Sequence, residues 1–178
     1  MRALLVGTVV VAAISAAGDY IWYELGVAHR LWTGVLHGAA LLTAVGGTLG
    51  AASGRIAAGL PIGAAAGVAG ALIYYALAPI LGGAAMLAAW ASLWIMLAVL
   101  DGRFVRRPGR PLRLCLVQGA TAALLSGVTF YLVVGMLWGR PPAGGRNYAL
   151  QLAMWAIAWA PGILAIGQDL SRRGTHRS

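Results

Sequence analysis

Between residues 59 and 100 the chain carries no charged side chain. A water-soluble domain cannot be built this way, since about a quarter of its residues are normally charged. The run is long enough for two bilayer crossings at about 20 residues each. The rest of the chain follows the same plan. Thirteen arginines, no lysine and four acids stand mostly in short breaks between apolar stretches, and mean hydropathy is +0.83. In hydrocarbon the backbone must satisfy its own polar groups, so uninterrupted apolar runs of this length read as helices. The sequence therefore predicts an all-α polytopic membrane protein, a single bundle over 1–178 with no room for a second, soluble domain.

Six spans are expected, at about 3–22, 31–53, 60–78, 83–100, 114–138 and 148–166. The third and fourth are divided at Ala78-Pro79 and Gly82-Gly83, because proline and paired glycines mark helix boundaries. Residues 1–18 have the outline of a signal peptide, with Arg2, an apolar stretch and Ser15-Ala16-Ala17; they are read here as the first span. Arginines accumulate on the cytoplasmic side of membrane proteins. With both termini inside, ten arginines fall inside and three (Arg30, Arg140, Arg146) outside. Tyr20, Trp22, Tyr23, Trp32 and Trp138 are then expected near the outer interface. The Ala/Gly-rich, lysine-free composition suggests a GC-rich bacterial genome and hence a bacterial cytoplasmic membrane.

The net charge of +9 would suit nucleic acid. Its segregation to segment ends on one side instead points to anionic headgroups, so the expected partners are membrane lipids and not nucleic acid. Cys115 is alone, which leaves no disulfide framework or thiolate metal site within one chain. Gly46, Gly50 and Gly54 recur every four residues, as do Gly59, Gly63 and Gly67. Such ridges allow helices to approach closely, although a glycine-rich composition alone would also supply them. Pro161-Gly162 inside the sixth span is expected to kink it and open a cavity.

Polar residues concentrate between Gly18 and His37. Asp19 lies about one turn from the outer end of the first span, and His37 about two turns into the second. Arg30, Gly34 and His37 share one helix face. Ionisable groups at membrane depth are costly unless paired, which makes them functional candidates. Asp19, Arg30 and His37 are candidates to orient a ligand headgroup or to carry a proton. The structural alternative is an interfacial Asp19–Arg30 ion pair, with His37 bonded to a carbonyl. His29, His37, Asp19 and Glu24 match no metal-ligand spacing, and no cofactor is expected. Nucleophilic or paired-carboxylate catalysis has no supporting constellation, so the chain is not expected to be an enzyme.

Trp90, Trp94, Trp155 and Trp159 form four-residue pairs that suit packing, lipid contact or the wall of an apolar cavity. Gln118, Thr121, Ser126 and Thr129 dot the fifth span, where hydroxyls usually bond back to their own carbonyls. The inner loop 101–113 holds Arg103, Arg106, Arg107, Arg110 and Arg113 beside a single acid, Asp101. It reads as topogenic charge, with Asp101, Arg103, Arg106 and Arg107 as candidates for a partner contact.

Three segments carry a family resemblance. Leu93-Trp94-Ile95-Met96-Leu97-Ala98-Val99-Leu100-Asp101-Gly102-Arg103 resembles the end of the fourth helix of the Insig family. Phe130-Tyr131-Leu132-Val133-Val134-Gly135 resembles a stretch of that family's fifth helix. Ala165-Ile166-Gly167-Gln168-Asp169-Leu170 resembles the end of its sixth. Val134 stands where the family carries Asn, no Gln equivalent lies near Thr129, and His37 has no counterpart. The resemblance implies a six-helix bundle with a lipid-like ligand in a central cavity, diacylglycerol-like in a bacterial member, and Asp101 in partner contact.

The expected function is thus a non-enzymatic membrane protein that binds a lipid or sterol-like amphipath, in a regulatory or sensing role. Asp19, Trp22, Arg30 and His37 are candidates at the headgroup, and Tyr131, Trp155, Trp159 and Pro161 at the cavity wall. Two alternatives stand beside it: a small transporter or channel using Asp19 and His37 as an ion- or proton-linked pair, and a scaffold subunit reaching a membrane-protein partner through the arginine loop.

Overall fold

A computed structural model describes residues 1–27, 30–106, 110–138 and 147–168. Among them there is no strand, and six α-helices carry nearly the whole chain: α1 (Arg2–Tyr23), α2 (Leu31–Ala52), α3 (Ile56–Leu81), α4 (Ala85–Leu100), α5 (Leu112–Trp138) and α6 (Tyr148–Gly167). Five helical stretches are long and apolar enough to cross a membrane. The longest, Ile56–Arg106, contains both α3 and α4. It folds back at a short 3-10 turn, Gly82–Ala84, so that Gly70 of α3 lies against Leu93 and Ala89 of α4.

The proline positions correct the expected ends of α3. The helix begins at Ile56 and runs through both Pro61 and Pro79 to Leu81. A proline removes one intrahelical donor, and near a helix end that loss does not stop the chain. Gly82 stops it, with φ +52, a conformation that a side-chain-bearing residue rarely adopts. Gly54 has φ +72 and forms the turn after α2 rather than extending that helix's ridge. The expected loop from residue 101 is helical at its start: Asp101–Arg106 form a π-helical turn continuing α4.

Each helix packs on its neighbours in sequence, and α6 closes the ring against α1. The tightest seam joins α2 to α3, where backbone meets backbone. A Cβ on Gly46 would lie 2.8 Å from the Gly63 Cα, one on Gly38 would lie 2.9 Å from the Gly67 carbonyl oxygen, and one on Gly50 would lie 2.9 Å from the Ile56 Cα. The four-residue spacing puts these glycines on one face of each helix, and the two faces meet. Large side chains such as Leu36, Ile80, Leu124 and Leu132 point outward, giving an apolar exterior suited to lipid.

At the arginine-rich end a polar network ties the helices together. Asp101 and Arg106, both nearly fully buried, form an ion pair. Arg106 also donates to the Ile166 carbonyl at the end of α6. Gln118 of α5 donates to the Ala165 and Ile166 carbonyls, both at 3.0 Å, and accepts from Arg110 at 2.8 Å. Arg55 donates to the Val105 carbonyl at 2.7 Å. The last carbonyls of a helix have no partner within it, and α5 and the turn after α4 supply one for α6.

Candidate functional site

Ionisable and aromatic side chains meet at the opposite end of the bundle. The buried face of α1 runs through Val11, Ser15 and Asp19, one turn apart on the same side. Asp19 is only 4% exposed, and its Oδ2 accepts a 2.7 Å hydrogen bond from the Trp155 indole Nε1 on α6. One turn away, Trp159 Nε1 donates to Ser15 Oγ at 3.0 Å, and Ser15 in turn donates to the Val11 carbonyl. The α1–α6 seam is thus stitched by two parallel tryptophan contacts. From α2, the His37 ring lies over Gly18, which has no room for a Cβ, and meets the Trp22 ring edge-to-face at 4.5 Å between centroids.

These groups border a cavity of about 320 Å³ lined by residues from all six helices, within the usual range for small-molecule sites. Asp19, Trp22 and His37 lie on its wall, as do Trp155 and Trp159. Gly34, Gly38, Gly67 and Gly70 lie on its border, where the missing side chains let α2, α3 and α4 approach one another closely. The far wall is aromatic. Trp90 of α4 stacks on Phe130 of α5 at 4.8 Å and packs against Trp159 at 4.7 Å, while Phe130 lies 5.5 Å from Trp155. Trp94 fills the bundle centre behind this wall, against Gly162 of α6, where a Cβ would come within 2.7 Å of the indole.

Three expected site residues lie elsewhere. Arg30 is the exposed residue preceding α2. Its carbonyl accepts from Tyr75 Oη at 3.0 Å, and it is not among the residues lining the cavity. The turn into α2 puts Arg30 at the bundle rim while Gly34 and His37 continue inward. Tyr131 is 40% exposed, and its neighbour Phe130 holds the wall position, because a one-residue step along a helix turns the side chain through about 100°. Pro161 borders an open groove between α5 and α6, with Gln118, Thr121, Thr129 and Gln168, rather than the central cavity. The service of Pro161-Gly162 to the interior comes from Gly162, which admits Trp94.

The proposed partner residues are also redistributed. Asp101 and Arg106 are spent on each other inside the bundle, so they present nothing to a partner surface. Arg103 is exposed. Arg107 lies outside the described residues, as does His29. Among the described residues no three of His, Cys, Asp and Glu gather as a metal would require. Of the fifth-helix polar residues, Thr121 and Thr129 bond back to Val117 and Leu125 as expected, whereas Ser126 reaches across to the Ala158 carbonyl of α6 at 2.6 Å.

Sequence reasoning did not single out Ser15, Gly38, Tyr74, Tyr75 and Phe130 as lining the cavity. A signal existed for Ser15, which shares a face with Asp19 and Trp22 at helical spacing. Tyr74-Tyr75 was also visible as an aromatic pair within the charge-free run. No family model, curated protein or solved structure matches the chain.

Proposed function

We propose that this protein is a non-enzymatic membrane protein that holds a lipid or sterol-like amphipath in its central cavity. One observation carries the reading: a space of about 320 Å³, shared by all six helices, combines a long apolar and aromatic wall with Asp19 and His37 on its border. An amphipath needs this division, with the acyl or ring portion on the apolar side and the head at the polar groups. The resemblance of three segments to the Insig family supports the same assignment. On this reading the Ile56–Arg106 stretch counts as two spans, six in all, and the arginine bias favours both termini on the cytoplasmic side.

The test is native mass spectrometry of protein purified through a delipidating detergent, compared with Ala71→Leu. Ala71 lines the cavity and is only partly buried, so a larger side chain there takes up part of the space. Retention of one lipid class by the wild type and its loss in the variant is the expected result. Equal, unselective lipid content in both proteins rejects the reading. Asp19 and His37 share the cavity, which favours a proton- or ion-linked carrier as second reading. Proteoliposome flux abolished by Asp19→Asn is its signature.

A further inference from the structure

The groove between α5 and α6 shares no lining residue with the central cavity. Gln118 and Ser126 of α5 fasten the two helices through bonds to the Ala165, Ile166 and Ala158 carbonyls of α6. Beside that seam the small side chains of Thr121, Ala160 and Ala165 leave the surface hollow. The groove covers residues 118–129 on α5 and 157–168 on α6. Each wall therefore rises by about 17 Å at the usual helical pitch. One leaflet is half of a hydrocarbon core of roughly 30 Å, so the groove has the length of one acyl chain. Its walls suit such a chain. Leu125, Ile157 and Leu164 supply hydrocarbon, and the Thr121 and Thr129 hydroxyls donate to carbonyls of their own helix.

One end of the groove is cationic. Gln118, on its wall, accepts from Arg110 at 2.8 Å. Arg113 is exposed, and Arg113, Val117 and Thr121 follow the four-residue ridge that flanks the groove. Among the acids, Asp19 and Glu24 belong to the far end of α1, and Asp101 is paired with Arg106; Asp169 lies outside the described residues. A packed protein helix is disfavoured as occupant, because close helix contacts in membranes use small residues. The α5 glycines Gly119 and Gly127 face Ile95 and Trp90 of α4, while bulky Val117, Leu124 and Val128 are exposed.

We propose that this groove binds an anionic phospholipid, with one acyl chain between α5 and α6 and the phosphate-bearing head at Arg110 and Arg113. The lipid comes from the leaflet that adjoins the arginine-rich end. Guanidinium groups bind phosphate oxygens through paired N–H donors, and each arginine near an anionic head raises affinity about fivefold.

The experiment titrates the detergent-solubilised protein with dioleoylphosphatidylglycerol or dioleoylphosphatidylcholine, and reads affinities from the lipid-bound ions in native mass spectra. The chains of the two probes are identical, and their heads are anionic and zwitterionic. The wild type is expected to bind the anionic lipid at least about tenfold more tightly. Arg113→Gln is expected to weaken the anionic lipid about fivefold and to leave the zwitterionic one unchanged. Thr121→Phe fills the groove and is expected to abolish the preference. Both positions are exposed, and an unchanged melting temperature without added lipid verifies that each variant is folded. Ala71→Leu, in the central cavity, is expected to retain the preference.

Equal affinity of the wild type for the two lipids overturns the anionic head. A preference that survives Thr121→Phe overturns the groove as its seat; if the same preference is lost in Ala71→Leu, the lipid sits in the central cavity and only the groove site falls. Arg103→Gln removes an exposed arginine on the turn after α4. An equal loss in Arg103→Gln and Arg113→Gln shows a diffuse attraction to the basic surface, which also overturns the site.

Discussion

The α2–α3 seam sets a quantitative expectation for Gly63→Ala. A Cβ at this position would lie 2.8 Å from the Leu42 carbonyl carbon and 3.0 Å from the Thr43 Cα, with the Leu42 oxygen closer still. Carbon atoms pack best at about 3.5–4.0 Å, and the still closer Leu42 oxygen sets the requirement, so the helices must part by about 1 Å or more. The opposing atoms are backbone and cannot rotate away. Overpacking of this kind costs about 1–3 kcal/mol. At about 2–4 °C per kcal/mol for a chain of this size, the melting temperature should fall by about 2–12 °C. Gly83→Ala is the matched control: nothing lies within 4 Å of its added methyl and its φ is not positive, so the substitution should be neutral or gain a few tenths of a kcal/mol. Thermal unfolding of both variants in one detergent, followed by circular dichroism, makes the comparison. If Gly63→Ala melts no lower than Gly83→Ala, the backbone-to-backbone seam is wrong.

Two further substitutions probe the contacts that close the ring. Ser126→Ala removes a fully buried 2.6 Å bond from α5 to the Ala158 carbonyl and should lower stability by about 0.6–1.7 kcal/mol, the range of interhelical hydrogen bonds in membranes; an unchanged denaturation midpoint would show that the carbonyl needs no partner from α5. Asp101→Asn or Arg106→Met, each leaving a buried charge unmatched, should cost about 3–5 kcal/mol, whereas the double variant should cost less than the two singles summed; strict additivity in a double-mutant cycle would deny that the two side chains act as a pair.

Water-soluble helices reveal their buried side by being apolar there and polar elsewhere. In this chain both sides of every helix are apolar, and that cue is erased. The existence of the helices was readable because charge-free runs of this length have few alternatives. Their inward faces were readable only where small or polar residues broke the uniformity. On α1 the buried positions include Gly7, Thr8, Ala12, Ser15, Gly18 and Asp19, a helical stripe of residues too small or too polar to be wanted against lipid. Asp19 and His37 stood out for the same reason, and both border the cavity. Tryptophan gave no such cue, since an indole serves equally against lipid, at the interface or in the core. Trp22, expected in an interfacial belt as well as at the headgroup, is in the cavity wall, and Trp32 is exposed. Phe130 and Tyr131 differ by one step around α5, and only the register of that helix against α4 and α6 decides which of them enters the site. That register is set by long-range contacts, such as Ser126 on Ala158 and Gln118 on Ala165 and Ile166, each joining residues more than thirty positions apart. A local reading of spacing can place a residue on a face, but the contact across the bundle determines what that face meets.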